Sequence, residues 1–137
     1  MNARILQPRE WARPRGYSNG VSTQGRQIYV AGQIGWDARG VLVGKDLVSQ
    51  ARQALRNIVT ILAEDDARPE HLVRLTWFVI DRREYNDEAR ALGEAYREVI
   101  GSHYPAMSAV EVSALMEPGA LVEIEATAVV PDSGESA

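Results

Sequence analysis

Three carboxylates, Glu111, Glu123 and Glu125, stand inside the otherwise apolar stretch YPAMSAVEVSALMEPGALVEIEATAVV. A glutamate partly removed from water disfavours its charged form, so its pKa rises and it can trade a proton with a bound water near neutrality. Other routes to catalysis have less behind them. The chain has no cysteine, which removes thiolate nucleophiles, thiolate metal ligands and disulfides together. Its two histidines, His71 and His103, lie far apart and outside the H-x-x-x-H and H-E-x-x-H spacings that hold zinc; both read as surface residues. No local Ser–His pair favours a triad. Gly32, Gly35 and Gly40 form neither GxGxxG nor a phosphate loop, and read instead as a strand end and a turn. No metal and no organic cofactor is expected. What remains is acid–base chemistry by carboxylate, phenol or backbone groups, and pattern alone does not separate Glu123 from Glu125.

The elements that must position these groups follow from periodicity. RQIYVAGQIG alternates across Ile28, Val30 and Gly32 as a strand does, Asp37–Gly40 fits a turn, and VLVG after it has the composition of a short strand. From about Leu47 to Ala63, a stripe of Leu47, Ala51, Ala54, Leu55, Ile58 and Leu62 predicts an amphipathic helix with Asp46 as its N-cap. LVRLTWFVI is β-branched and aromatic, too short for an average helix and apolar on both faces, so it predicts an interior strand. Asp81 and Glu84 stand in the spacing of a capping box, followed by a second helix with Tyr85, Ala89, Leu92, Tyr96 and Val99 on one face. AMSAVEVSAL and LVEIEATAVV are two further strands joined by the turn residues Glu117, Pro118 and Gly119. In the last strand Val122, Ile124, Ala126 and Ala128 share one face; Leu121, Glu123, Glu125 and Thr127 share the other. The order gives an α+β fold, a mixed sheet with two helices on one face and the carboxylates on the side away from them. That second side carries apolar residues too, which implies partial cover from outside the chain. Self-association is the simplest source, and subunit seams are natural places for a pocket.

Composition sets the outer limits. With 137 residues, 45% of them apolar and 25% charged, one domain with one core is expected. We read residues 1–16 as an N-terminal arm, 17–130 as the domain and 131–137 as a flexible tail. The formal charge of -4 argues against a nucleic-acid partner. The opening residues scatter Arg, Pro and Glu where an export signal needs an apolar run, and no run approaches the ~20 residues of a membrane span, so a cytoplasmic protein without membrane contact is expected.

Six motifs in order then resemble one family: GYSNGV, IYVAGQIG, QARQALRNIVTIL, LVRLTWFVID, YPAMSAVEVSAL and VEIEATAV, from Gly16 to Val130. The chain is similar to the reactive intermediate deaminases, also called RidA, Rid or YjgF-like proteins. The resemblance implies a chorismate-mutase-like fold and a homotrimer whose sheets form a central β-barrel with a ligand cleft at each seam. It implies cofactor-independent hydrolysis of imines derived from enamines such as 2-aminoacrylate, giving a carbonyl compound and ammonia. Carried over by position, Tyr17 and Gly32 line the cleft and Glu123 holds or activates the attacking water. The departure is Met107, where the deaminating branch has an arginine after Pro-Ala that pairs with the substrate carboxylate. A thioether cannot make that charge-assisted pair, each bond of which is worth on the order of 1.5–3 kcal/mol. The resemblance therefore implies an altered substrate preference, with Arg13, Arg15 or Arg26 as possible replacements for the clamp. The family's pocket asparagine also lacks a counterpart near Arg90 to Glu94. A non-catalytic trimeric protein that binds a small metabolite is the alternative, and the ribonuclease or translation-inhibitor role attached to parts of the family fits an acidic chain poorly.

Overall fold

The computed structural model describes residues 3–132. Strand β1 (Arg4–Leu6) pairs antiparallel with β2 (Gly20–Ser22) as a separate ribbon, so the arm contributes a strand of its own. Beyond it, β3 (Arg26–Gln33), β4 (Leu72–Val79), β5 (Ala106–Glu111) and β6 (Val122–Val130) form one sheet in the order β3-β6-β4-β5. Only β4 and β5 run parallel. A parallel pair needs a crossover, and here it is the helical segment between them. This is a small α+β fold with a mixed sheet. Pro131 and Asp132 follow β6 without regular structure; the rest of the expected tail lies outside the described residues.

Helix α1 (Leu47–Ala63) forms where the apolar stripe predicts it, and every residue of that stripe is buried. Asp46 caps it by accepting from the Ser49 amide at 3.0 Å, a bond to the charged carboxylate that lowers the Asp46 pKa. The predicted second helix is two helices, α2 (Arg82–Asp87) and α3 (Ala89–Val99). They are separated at Glu88, whose backbone leaves the helical region at φ -95°, ψ 15°. The two pieces differ in burial: α2 has no fully buried residue and meets the core through half-buried Tyr85, whereas α3 buries Leu92, Ala95 and Tyr96.

The capping aspartate behaves as predicted. Asp81 accepts from the amides of Arg83 at 2.9 Å and Glu84 at 3.2 Å. A second carboxylate serves this helix start from across the chain, because the Arg82 amide donates to Glu111 at 2.8 Å. One of the three C-terminal glutamates is thus a helix cap. The Asp37–Gly40 turn is present, closed by the Asp37 amide on the Val41 carbonyl at 2.8 Å, but VLVG contributes only a bridge between Leu42 and Trp36. The last two strands are not neighbours, because β4 lies between them. Strand β4 buries Leu72, Leu75, Trp77 and Val79 on its helix face, whereas its other face is mixed, with Arg74 and Thr76 beside Phe78, and not apolar as the sequence pattern suggests.

The two histidines are half-buried structural groups and not surface residues. His71 Nδ1 accepts from the Arg68 amide at 3.0 Å, and His103 Nε2 lies 2.7 Å from the Leu72 carbonyl. Burial is the largest cause of a lowered His71 pKa, with Arg68 adding to it. The core sits between the sheet and helices α1 and α3 and includes Leu55, Ile58, Leu75, Val122 and Ile124. Within it Gln50 is fully buried yet satisfied: its amide donates to the Gly44 and Gly119 carbonyls, and its carbonyl accepts from the Leu121 amide at 2.8 Å. Among the described residues no helix is long and apolar enough to cross a membrane.

Candidate functional site

The sheet has two faces, and the candidate residues divide between them. Alternation along β6 buries Val122, Ile124, Ala126 and Ala128 against the helices and leaves Glu123, Glu125 and Thr127 on the open side. Glu123 lies opposite Phe78 of β4, and Glu125 opposite Thr76. On the other flank the β3–β6 register shifts between Val30 and Gln33, an irregularity that contains Gly32. A side chain at position 32 would put its Cβ 1.9 Å from Glu123 Oε2 and 2.8 Å from Cδ. The Glu123 carboxylate occupies the space a side chain at position 32 would fill, so any larger residue there would displace it. Bulges of this kind commonly re-aim a side chain next to an active site. The half-buried Glu123 has no hydrogen bond or ion pair to the described residues, so its acceptor sites remain open to a ligand or water.

Met107 belongs to the opposite face. It pairs with Leu75 in the parallel β4–β5 ladder, and both point toward the helices. There Met107 helps line a cavity of about 370 Å³ walled by Trp77, Tyr85, Leu92, Tyr96 and Tyr104, with Arg15, Gly16, Ala89, Gly93 and Arg97 completing it. Two aromatic pairs shape the wall: Trp77 and Tyr85 meet edge to face at 6.1 Å, and Tyr96 stacks on Tyr104 at 5.4 Å. The Tyr96 hydroxyl donates to the His103 carbonyl at 2.6 Å, and burial raises the pKa of both Tyr85 and Tyr96, so both phenols stay protonated. The indole N–H of Trp77 is buried and has no acceptor among the described residues.

Tyr17 does not line this cavity; it lies in the chain between Gly16, which does, and Ser18. Ser18 is pinned to the start of β5: its amide donates to the Pro105 carbonyl at 3.0 Å and its hydroxyl to the Tyr104 carbonyl at 2.5 Å. The Tyr17 ring itself is 40% exposed. One chain therefore brings Gly32 and Glu123 together at the β3–β6 side, and places Tyr17 near Met107 at the β5 edge. It does not unite the two pairs. Among the described residues no cluster of three or more His, Asp or Glu could hold a metal ion.

Comparison with known proteins fits this architecture. The family described as endoribonuclease L-PSP matches residues 10–130. The chain belongs to the Ribonuc_L-PSP family, the Rid or YjgF-like proteins. Among curated relatives of this Rid chain, the human 2-iminobutanoate/2-iminopropanoate deaminase is 35% identical over 114 residues, 82% of this chain and 79% of that one. The goat protein of the same name is 38% identical over the same shares. Among solved structures, YyfB from Yersinia pestis, a Rid-family protein of unknown function, superposes with a TM-score of 0.84 at 34% identity, covering 95% of this chain and all of that one.

Sequence reasoning on this Rid chain missed most of the aromatic cavity. Tyr85 and Tyr96 lie on the predicted apolar stripe of the second helix, where periodicity assigns them to packing. Trp77 lies in a strand read only as core. The available signal was the density of aromatic rings on elements that must face one another.

Proposed function

We propose that this chain is an imine deaminase that works in clefts between the subunits of a homotrimer, with an altered substrate preference at the Met107 position. The observation that carries the reading is the Glu123 carboxylate, seated in the void at Gly32 with its acceptor sites open. In the proposed reaction Glu123 accepts a proton from a water as the oxygen adds to the imine carbon. The imine nitrogen takes up that proton to give the carbinolamine; its hydroxyl proton then passes to the nitrogen through Glu123 as the C–N bond breaks, and ammonia leaves with a carbonyl compound as the second product. Water and imine supply every atom, so no oxidant or cofactor is required.

The separation of the two residue pairs supports the assembly. Gly32 and Glu123 lie toward the β3 edge, Tyr17 and Met107 at the β5 edge, and these are the two outer strands of the sheet. A neighbour that sets its β3 side against the β5 edge would complete one cleft from both pairs, and three such contacts would close into a ring around the open sheet faces. The names of the curated relatives, with about a third of residues shared, support imine deamination as the reaction class. We place the protein in the cytoplasm on the same reading.

The test supplies purified protein with 2-iminobutanoate or 2-iminopropanoate generated in situ and follows ammonia and keto-acid release. Glu123→Gln should lower the rate by about 10²–10⁴-fold. Gly32→Ala should do nearly as much, because the new Cβ displaces the carboxylate. A native rate no greater than buffer would overturn the reading and favour a non-catalytic binding protein, the alternative that Met107 supports. An endoribonuclease role would require RNA cleavage that survives exhaustive purification and is lost in Glu123→Gln.

A further inference from the structure

We infer that the cavity beside α3 selects a carboxylate with a bulky planar or apolar side chain, and that Arg97 and Arg15 hold its charge in place of a cation at position 107. The inference deepens the deaminase reading and rests on it for the reaction, but not for binding.

Charge supplies the first argument. The chain is acidic overall, at -4, yet the cavity is lined by two guanidinium groups and no carboxylate. Four other arginines have partners: Arg26 is paired with Asp65, Arg52 and Arg56 with Glu98, and Arg68 with Glu70. Neither Arg15 nor Arg97 has an ion-pair partner among the described residues. Two unpaired cations at one concavity attract an anion, and a guanidinium fork matches a carboxylate in geometry.

Placement supplies the second argument. A Cβ at Gly93 would lie 3.4 Å from Arg97 Nη1, so the guanidinium lies back over the preceding turn of α3, against a residue that is itself a cavity wall. Gly16, at φ +77°, takes a backbone turn that other residues rarely adopt, and Ser18 beyond it is fixed to β5; together they carry Arg15 to the same opening. Of the replacement arginines that the sequence offers, Arg26 is occupied by Asp65, whereas Arg15 is at the cavity.

The walls supply the third. Trp77, Tyr85, Leu92, Tyr96, Tyr104 and Met107 present rings and a thioether, and the Tyr96 hydroxyl is already committed to His103. A two- or three-carbon acid would leave most of about 370 Å³ to water. An aromatic side chain would displace that water and gain ring contacts and a thioether contact.

Calorimetry on the full chain tests this with stable 2-keto acids, the product form of the proposed substrates. Phenylpyruvate should bind at least about tenfold more tightly than pyruvate and than phenylacetone, its analogue without the carboxylate. Arg97→Gln and Arg15→Gln, both at exposed side chains, should each weaken phenylpyruvate about tenfold to a hundredfold and leave phenylacetone unchanged. Met107→Arg should shift preference toward pyruvate. Equal binding of phenylpyruvate and pyruvate, or arginine variants that bind phenylpyruvate like the native chain, would overturn the inference. Arginine-dependent binding without imine hydrolysis would uphold this pocket and remove the deaminase reading; hydrolysis without arginine dependence would do the reverse.

Discussion

The two faces of the sheet obey different rules. On the helix side, α1 is buried within one chain: it contributes Leu47, Ala51, Ala54, Leu55, Ile58 and Leu62, and even the polar Gln50 has its hydrogen bonds made. On the other side Tyr29 is 72% exposed and Val110 44%, on the same face as Glu123, Glu125 and Arg74, and no element among the described residues covers them. Along α1 the first face is finished by folding, while the cavity beside α3 stays open on it. The second is finished only by what binds to it, so residues there answer to partner and ligand more than to the stability of the single chain.

Three measurements press on that contrast. The largest effect is expected from Leu55→Ala, which empties a fully buried site and should cost about 2–5 kcal/mol in denaturant unfolding, at any protein concentration. A loss well below that would mean the helix side is not the sole source of stability. Next, Val110→Asp on the open face should change the assembly and not the fold. We expect light scattering to show smaller particles and subunit dissociation to become about tenfold easier or more, with the circular dichroism of the folded chain retained. If the native chain is already a monomer at high concentration, the contrast fails. The smallest effect concerns pH. The lowered His71 pKa means the fold prefers the neutral ring, whose Nδ1 accepts from Arg68. That contribution is complete above the ordinary value of 6.5 and is lost as pH falls through the lower folded-state value. Melting temperature should therefore decline on acidification below that value, and His71→Gln should flatten this part of the profile.

Much of the fold is legible in the sequence, for reasons that differ from element to element. Helix α1 is legible because its stripe is long and its cap unambiguous, so local preference and tertiary burial agree. Strand β4 is legible as interior from its density of β-branched and aromatic residues, although its open face carries Arg74 and Thr76 beside Phe78. The break at Glu88 is not, since the apolar spacing from Tyr85 to Val99 continues across it, although α2 offers the core only half-buried Tyr85 while α3 buries Leu92, Ala95 and Tyr96. Of the carboxylates, Glu123 and Glu125 follow from alternation, whereas the role of Glu111 depends on strand order, which brings β5 beside β4 and so beside the start of α2. The proximity of Gly32 and Glu123 likewise depends on a shifted register that no period reveals. Met107 shows the same limit from the other side: its identity is plain in the sequence, but which face it occupies follows only from its pairing with Leu75.

The joint at Glu88 has a consequence for how such proteins diversify. Tyr85 and Ala89, on either side of the joint, form part of the cavity wall, while Leu92, Ala95 and Tyr96 anchor the second piece. Exchanges at Tyr85 or Ala89 therefore reshape what the cavity admits at a corner with no fully buried residue, and disturb the core less than exchanges at Leu92, Ala95 or Tyr96.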